Sequence, residues 1–301
     1  MTTSTSSQLP LVTPRLSDYA LLVLAMAFWG GSWVAGKVIS EIAAPLSLAF
    51  WRFVLSSLVL VPTLWLAQDK NPSFDQKDIP SFFFLGLTGV AIYNFFFLTG
   101  LRYTTASSGA LIAGTNPILI GIFAIVFLGE KKGWHKLLGF LCGMTGVVLV
   151  VGLDALEGTN WQGNILIFMG MIAWASYSTR VRQLSDSYTS LELTTYGVVC
   201  GTIILLPLAL LEWNFEMYES GQFHIWAGIV YLALFSTCAG FGLFNRSLRR
   251  IGASRTAIFI NLVPIFGSLF AIVLLSETLT LLKGVGLVLV VGGVLIITQI
   301  E

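Results

Sequence analysis

The sequence predicts an all-α integral membrane protein with ten transmembrane helices, and composition is the first reason. Of its 301 residues, 56% are hydrophobic and only 10% are charged, and the net charge is +1. A soluble domain carries about 25% charged residues. The low charge content and the mean hydropathy of +0.86 therefore exclude a disordered chain and an ordinary soluble enzyme. The nearly neutral chain also offers no basic surface for nucleic acid.

The second reason is the number of apolar runs that are long enough to cross a bilayer. A hydrocarbon core about 30 Å thick needs about 20 apolar residues per helix. Ten such runs lie at 19–39, 46–67, 80–100, 105–128, 135–153, 162–181, 191–211, 224–246, 254–276 and 281–300. Residues 1–17, rich in Ser and Thr, precede them and are expected to form a disordered cytoplasmic tail.

The Lys and Arg residues predict how these runs are oriented. With a cytoplasmic N-terminus, the inner segments hold 12 basic residues, the outer segments hold 3, and Arg52 lies inside the second run. Cytoplasmic loops of membrane proteins carry such an excess of positive charge. An even number of runs then places both termini in the cytoplasm.

The third reason is an internal repeat. Pro117 lies 147 residues before Pro264, and the segments around the two prolines are similar. The two copies cover residues 18–153 and 162–301, and each contains five predicted helices. Because five is odd, the second copy must cross the membrane in the opposite direction. Inverted repeats of this kind recur in secondary transporters, with the substrate site near the midplane. We therefore expect one structural domain made of two inverted five-helix repeats.

The motifs of well-known enzymes do not fit this sequence. Gly31, Gly36 and Lys37 have the spacing of a phosphate-binding P-loop, but Val38 occupies the position that needs Ser or Thr. No GxSxG, HExxH or GxGxxG motif occurs, and the three Cys and two His residues are widely spaced. We therefore expect a protein that is not an enzyme and that uses no metal or other cofactor.

Several segments resemble one transporter family. They are Phe28-Trp-Gly-Gly-Ser-Trp-Val-Ala-Gly-Lys37, Trp51-Arg-Phe53, Leu101-Arg-Tyr-Thr-Thr-Ala-Ser-Ser-Gly-Ala-Leu111, Asn116-Pro117, Gly129-Glu130, and in the second half Leu248-Arg-Arg-Ile-Gly-Ala-Ser254, Pro264 and Glu277. This pattern is similar to the EamA-type permeases of the drug/metabolite transporter superfamily, and within it most of all to the YddG-type amino-acid exporters.

The resemblance implies a multi-pass protein of the bacterial inner membrane that exports small amphipathic metabolites by alternating access. Amino acids, aromatic or otherwise neutral, are the expected substrates. A passive channel, or a carrier of the same superfamily for other metabolites or drugs, remains an alternative. The expected partners are the substrate and the lipid bilayer, and the sequence leaves the oligomeric state open, with a monomer as one possibility.

Aromatic and polar residues on repeat-related helices predict a substrate cavity. In the first run Trp29, Ser32 and Trp33 share one helical face, and Trp29 lies about 15 Å deep, below the interfacial belt where tryptophan is common. The sixth run repeats this face, and the third and eighth runs add further aromatic and polar residues. The predicted substrate-binding residues are Trp29, Ser32, Trp33, Tyr93, Asn94, Phe97, Thr115, Asn116, Trp174, Tyr177, Ser178, Phe241, Phe244 and Asn261.

Two prolines, two glutamates and one arginine have further predicted roles. Pro117 and Pro264 lie inside predicted helices, where proline removes a backbone hydrogen bond and usually produces a kink, so they are predicted hinges or else packing kinks. Glu130 and Glu277 precede the fifth and tenth runs and are expected to stabilise the next helix N-terminus. Arg52 is either a functional intramembrane charge that pairs with a carboxylate of the substrate or an anchor that reaches the outer surface.

The predicted topology has a direct test. Reporter domains fused after residue 74 and at the C-terminus should both report the cytoplasm, because the 12-to-3 distribution of basic residues places the N-terminus there and ten runs return the chain to the same side. A fusion after residue 157 should report the outside and serves as the internal contrast. An external signal at the C-terminus would contradict the count of ten helices and, with it, the inverted repeat.

Overall fold

The computed structural model of the protein describes most of the predicted membrane part. The described residues are 16–67, 75–129, 161–212, 223–250, 259–277 and 280–298, with Thr256 and a few positions between 134 and 149. The predicted tail up to residue 15, most of the predicted run 135–153, and Glu130 lie outside them. All regular structure in the described ranges is helical.

The helices of the first half follow the predicted runs closely. They are α1 (Leu16–Ser40), α2 (Pro45–Leu66), α3 (Ile79–Leu85), a first π-helical segment (Gly86–Ile92), α4 (Tyr93–Tyr103), α5 (Ala106–Ala113) and α6 (Asn116–Phe127). A short 3-10 helix (Gln76–Asp78) leads into α3. Local sequence explains two of the starts: proline occupies the first turn of α2, and the Thr105 side chain accepts a hydrogen bond from the Ser108 backbone at the start of α5.

The second half contains the corresponding elements. They are α7 (Trp161–Leu184), α8 (Ser190–Leu211), α9 (Phe223–Tyr231), a second π-helical segment (Leu232–Phe241), α10 (Gly242–Arg250), α11 (Leu262–Leu275) and α12 (Leu281–Thr298). Helix α8 begins with a reciprocal capping box, in which Thr189 and Glu192 each bond the other's backbone N–H.

Six helical stretches of the described part are long and apolar enough to cross a membrane. They are Leu16–Ser40, Pro45–Leu66, Gln76–Tyr103, Ala106–Phe127, Ser190–Leu211 and Phe223–Ser247. Helix α7 has 24 residues but carries Arg180 and Arg182 near its end. The helical membrane class predicted from composition therefore agrees with the fold, whereas the count of ten and the side of the termini stay predictions.

The packing repeats between the two halves. The two π-helical segments begin at Gly86 and Leu232, 146 residues apart. The first π-helical segment packs on α7, and the second packs on α1. The first π-helical segment packs on α8, the second packs on α2, and α2 and α8 pack on each other. Each contact thus has a counterpart in the other half, and the helices of both halves surround one centre.

The prolines mark helix starts. Pro117 is the second residue of α6, and the turn at Gly114 and Thr115 separates α6 from α5. Pro264 is the third residue of α11, which begins directly after Asn261. Pro117 therefore lies where the apolar stretch Ala106–Phe127 breaks into two helices, in a first turn where proline is tolerated because it has no N–H to satisfy. The hinge role of both prolines stays a prediction.

Carboxylates of the second half cap helices of the first. Glu277 accepts hydrogen bonds from the backbone N–H groups of Ala106 (2.9 Å) and Ser107 (3.1 Å) in the first turn of α5. Glu212 accepts one from the Leu46 N–H (2.9 Å) at the start of α2. The expectation that Glu277 serves the helix after it is therefore wrong, since it caps a helix 170 residues away. These caps tie the halves together at one end of the bundle.

The opposite end of the bundle is also tied across the halves. Asp18, near the start of α1, forms ion pairs with Arg250 (3.1 Å) and Arg246 (3.7 Å) at the end of α10. The hydroxyl of Tyr188 donates a hydrogen bond to Asp78 (2.6 Å). The first and the second half are thus in contact at both ends of the helix bundle.

Candidate functional site

A small cavity lies at the centre, between the two halves. Its lining residues come from both halves: Trp29, Ser32, Trp33, Arg52, Tyr93, Phe97, Ala113, Asn116, Trp174, Ser236, Phe241, Ile260 and Val263. The space open to the centres of water-sized spheres is about 30 Å³. That is room for one or two water molecules and far less than the several hundred Å³ of a typical ligand pocket. In this form the cavity is therefore too small to hold a substrate molecule.

Aromatic rings form the wall of this cavity. The rings of Trp29 and Trp174 lie edge to face, with centroids 5.5 Å apart, and Trp174 meets Phe241 at 5.0 Å. On the other side, Trp33 and Phe97 are in edge contact at 4.9 Å. Rings in such T-shaped contacts attract each other through their quadrupoles. The predicted pair Trp29 and Trp174 thus contact each other directly in the wall of the cavity.

Arg52 places a positive charge in the lining of this cavity. Its side chain is 2% exposed. It donates hydrogen bonds from Nε to Thr237 Oγ1 (2.9 Å), from Nη1 to Asn94 Oδ1 (2.8 Å) and from Nη2 to Ser236 Oγ (3.1 Å). All three acceptors are neutral, and no carboxylate of the described residues forms an ion pair with Arg52. Arg52 therefore does not extend to the outer surface, and the anchoring alternative does not apply to this structure.

The second π-helical segment positions two of these acceptors. Thr237 donates a hydrogen bond from its hydroxyl to the Leu232 carbonyl five residues earlier (3.0 Å). The indole N–H of Trp29 donates to the Ser236 carbonyl (3.0 Å). A π-helical register leaves carbonyl groups without their usual partner four residues on, so side chains such as Trp29 can use them. The second π-helical segment thus accepts hydrogen bonds both from Trp29 in the aromatic wall and from Arg52.

The two halves differ at the position of the arginine. The residue that corresponds to Arg52 in the second half is Gly197, 145 residues later. A Cβ atom at Gly197 would lie 3.3 Å from the Cβ of Leu85, and one at Gly201 would overlap Val90 of the first π-helical segment. The first π-helical segment therefore packs directly on the backbone of α8. The room that Arg52 occupies in one half is closed in the other.

Eight of the predicted substrate-binding residues line the cavity. They are Trp29, Ser32, Trp33, Tyr93, Phe97, Asn116, Trp174 and Phe241. Asn94 lies behind the lining and holds Arg52. Tyr177 and Phe244 form a second aromatic layer, with ring centroids 4.9 Å from Trp174 and 4.9 Å from Trp29 respectively.

The remaining predicted residues lie away from the lining. Thr115 donates its hydroxyl to the Ile112 carbonyl (2.7 Å) in the break between α5 and α6. The hydroxyl of Ser178 and both amide atoms of Asn261 are buried without a hydrogen-bond partner in the described structure. Such buried polar groups are unusual and need an explanation.

The sequence signals missed three features of the site. The sequence offers Arg52 as one possible partner of a substrate carboxylate but does not place it in the cavity lining. Ser236 and Thr237 were overlooked, although two adjacent hydroxyls inside an apolar run are a visible signal. Neither π-helical segment is evident in the hydrophobic pattern.

A larger pocket lies elsewhere in the bundle, among α3, α6 and α7. It measures about 380 Å³ and is lined by Pro80, Ser81, Phe84, Phe123, Phe127, Ser176, Thr179, Arg180 and Gln183. It contains none of the residues predicted to bind substrate. It is also more open, and its lining comes from one half and α7 alone. We therefore place the candidate site in the smaller central cavity.

Comparison with known proteins identifies the family. The model of the EamA-like transporter family matches residues 16–152 and, a second time, residues 161–299. The chain belongs to the EamA-like transporter family. Both matches agree with the internal repeat read from the sequence, and the family is one of membrane transporters.

Sequence similarity to individual relatives extends over nearly the whole chain. The uncharacterized transporter YyaM of Bacillus subtilis is 30% identical over 285 residues, with 93% of each chain covered. An uncharacterized transporter of Archaeoglobus fulgidus is 28% identical and covers 94% of this chain and 99% of its own. A probable terminal-alkyne amino-acid exporter of Streptantibioticus cattleyicolor is 26% identical, with 92% of each chain covered.

A solved crystal structure shares the fold of this EamA protein. The similarity covers 95% of this chain and 99% of that chain, with a TM-score of 0.70 and 18% sequence identity. At this identity the comparison supports the fold and nothing finer.

The closed aromatic contact leads to an accessibility prediction. We expect Trp29→Cys and Trp174→Cys, in a background without Cys142, Cys200 and Cys238, to react with small water-soluble thiol reagents when the protein cycles, and substrate to slow the reaction. Met26→Cys on α1, fully buried in the core, is the matched control and should stay unreactive. Mass spectrometry of the labelled protein measures the outcome. Labelling at neither tryptophan position in any state would place both residues in permanent core.

Proposed function

We propose that the protein is a secondary transporter that exports small amphipathic metabolites, foremost amino acids with neutral or aromatic side chains, across the bacterial inner membrane by alternating access. The observation that carries the proposal is the closed central cavity between two repeated halves, with aromatic walls and one buried cation. An amphipathic molecule meets both apolar rings and polar donors there.

Contacts between the halves at both ends favour a carrier over a channel. Glu277 and Glu212 join the halves at one end, and Asp18 and Asp78 do so at the other. An alternating-access carrier opens one of these ends at a time, whereas a pore needs a continuous path through the centre. The contact between Trp29 and Trp174 blocks such a path, so transport requires the two halves to move relative to each other.

The chemistry of the lining favours substrates of low charge. Nucleotide sugars and phosphate esters carry two or more negative charges and are bound by several Arg or Lys residues. The described lining offers Arg52 as its one basic residue. Among the relatives, the exporter of Streptantibioticus cattleyicolor is named for an amino-acid substrate, which supports amino acids and the outward direction. A carrier for other metabolites or drugs with the same balance of apolar and polar groups is the second candidate.

A counterflow experiment tests this function. Purified protein in liposomes preloaded with unlabelled phenylalanine should take up labelled phenylalanine faster than unloaded liposomes, and the rate should saturate. We expect Trp29→Ala to lower the counterflow rate at least about tenfold, because the substrate loses a wall of its cavity. Trp65→Ala is the matched control and should transport normally, because Trp65 is 76% exposed at the end of α2.

Two results would contradict the proposal. A flux that rises linearly with concentration and shows no counterflow would indicate a channel. Equal loss of transport in Trp29→Ala and Trp65→Ala would separate transport from the central cavity.

A further inference from the structure

We infer that Arg52 binds the carboxylate of the transported molecule and that the site recognises an apolar carboxylate without requiring an ammonium group. This inference rests on the proposed function of the central cavity and specifies its substrate class. It follows from the charge of Arg52, from the donors that its present partners leave available, and from the absence of an acid in the described lining.

The first step is the charge. A guanidinium is permanently protonated in proteins, and Arg52 is buried in the centre of the bundle. An isolated buried charge is strongly unfavourable unless an opposite charge compensates it. Its three partners, Asn94, Ser236 and Thr237, supply neutral oxygens only. Ionisable residues inside membrane proteins mark substrate pathways for this reason.

The second step is the number of available donors. A guanidinium has five N–H groups, and the three hydrogen bonds use one each on Nε, Nη1 and Nη2. One N–H group therefore remains on each of the two terminal nitrogens. A carboxylate has two oxygens at the separation that fits such a pair, and arginine binds carboxylates in this two-pronged manner. Arg52 also lines the cavity, so a molecule in the cavity can approach it.

The third step concerns the rest of the ligand. The described lining contains no Asp or Glu residue that could pair with an ammonium group. Aromatic rings make up most of the wall, including Trp29, Trp33 and Trp174, and they favour an apolar body. An ammonium group brought into this lining loses water without gaining an ionic partner. A carboxylic acid that lacks the amino group should therefore bind at least as tightly as the amino acid.

Three ligands with the same aromatic body test the inference on the wild-type protein. They are phenylalanine, 3-phenylpropionate, which lacks the ammonium group, and phenylalaninamide, which lacks the carboxylate. Titration calorimetry on purified protein should show 3-phenylpropionate binding as tightly as phenylalanine or more tightly. Phenylalaninamide should bind at least about tenfold more weakly, since it forms no charge-assisted pair with Arg52.

Variants assign the effect to Arg52. Arg52→Gln should weaken 3-phenylpropionate at least about tenfold and remove its advantage over the amide, whereas Arg52→Lys should keep part of it because the positive charge remains. Arg102→Gln is the matched control, because Arg102 lies on the exposed end of α4, and it should bind all three ligands like the wild type. Thermal unfolding checks that each variant is folded. If Arg52→Gln does not fold, the comparison of the three ligands on the wild-type protein still tests the inference.

The outcomes separate this inference from the proposed function. If the acid and the amide bind equally while counterflow persists, the inference is overturned and the transporter remains. Tight binding of phenylalanine with loss of 3-phenylpropionate would also overturn it, because the ammonium group would then be required. If the carboxylates bind as expected but no counterflow occurs, the site stands and the proposed transport is wrong. If none of the three ligands binds the wild-type protein, the inference is overturned.

Discussion

The buried guanidinium of Arg52 is the constraint on which the centre of this protein depends. A permanent charge among apolar helices is tolerable only where polar groups reach it. The protein supplies them from two other elements, Asn94 on α4 and Ser236 and Thr237 on the second π-helical segment. Helices α2 and α4 of the first half and a segment of the second are thereby joined at one point.

The two π-helical segments show how a repeated sequence produces an asymmetric site. Both occur at corresponding positions and pack against α2 or α8. In the second half, the segment supplies hydroxyls to Arg52 and a carbonyl to Trp29. The segment of the first half packs directly on α8, because α8 has glycine at positions 197 and 201. The two halves thus share one fold, while Arg52 has no counterpart at the corresponding position, Gly197.

The sequence predicted the helices better than it predicted the site. The predicted runs 46–67 and 191–211 agree with Pro45–Leu66 and Ser190–Leu211, because bilayer thickness sets the length of an apolar run. The π-helical register has no such signature, since contacts between distant helices determine it. For the same reason, the sequence could not predict that Arg52 points towards the centre. Its partner Ser236 lies 184 residues away, and the hydropathy of a helix does not show which of its faces points inward.

A built-in counter-ion tests the central claim most directly. Asn94→Asp replaces the amide oxygen that accepts from Arg52 with a carboxylate of the same shape, and calorimetry with thermal unfolding measures the result. We expect loss of 3-phenylpropionate binding, because the new carboxylate pairs with Arg52 in the ligand's place. Thermal unfolding checks that the variant is folded, since it also loses the hydrogen bond that the Asn94 amide donates to the Val90 carbonyl (2.8 Å). Asn164→Asp, at a buried asparagine bonded to Thr104, is the control and should keep 3-phenylpropionate binding. Wild-type affinity for 3-phenylpropionate in Asn94→Asp would contradict the account.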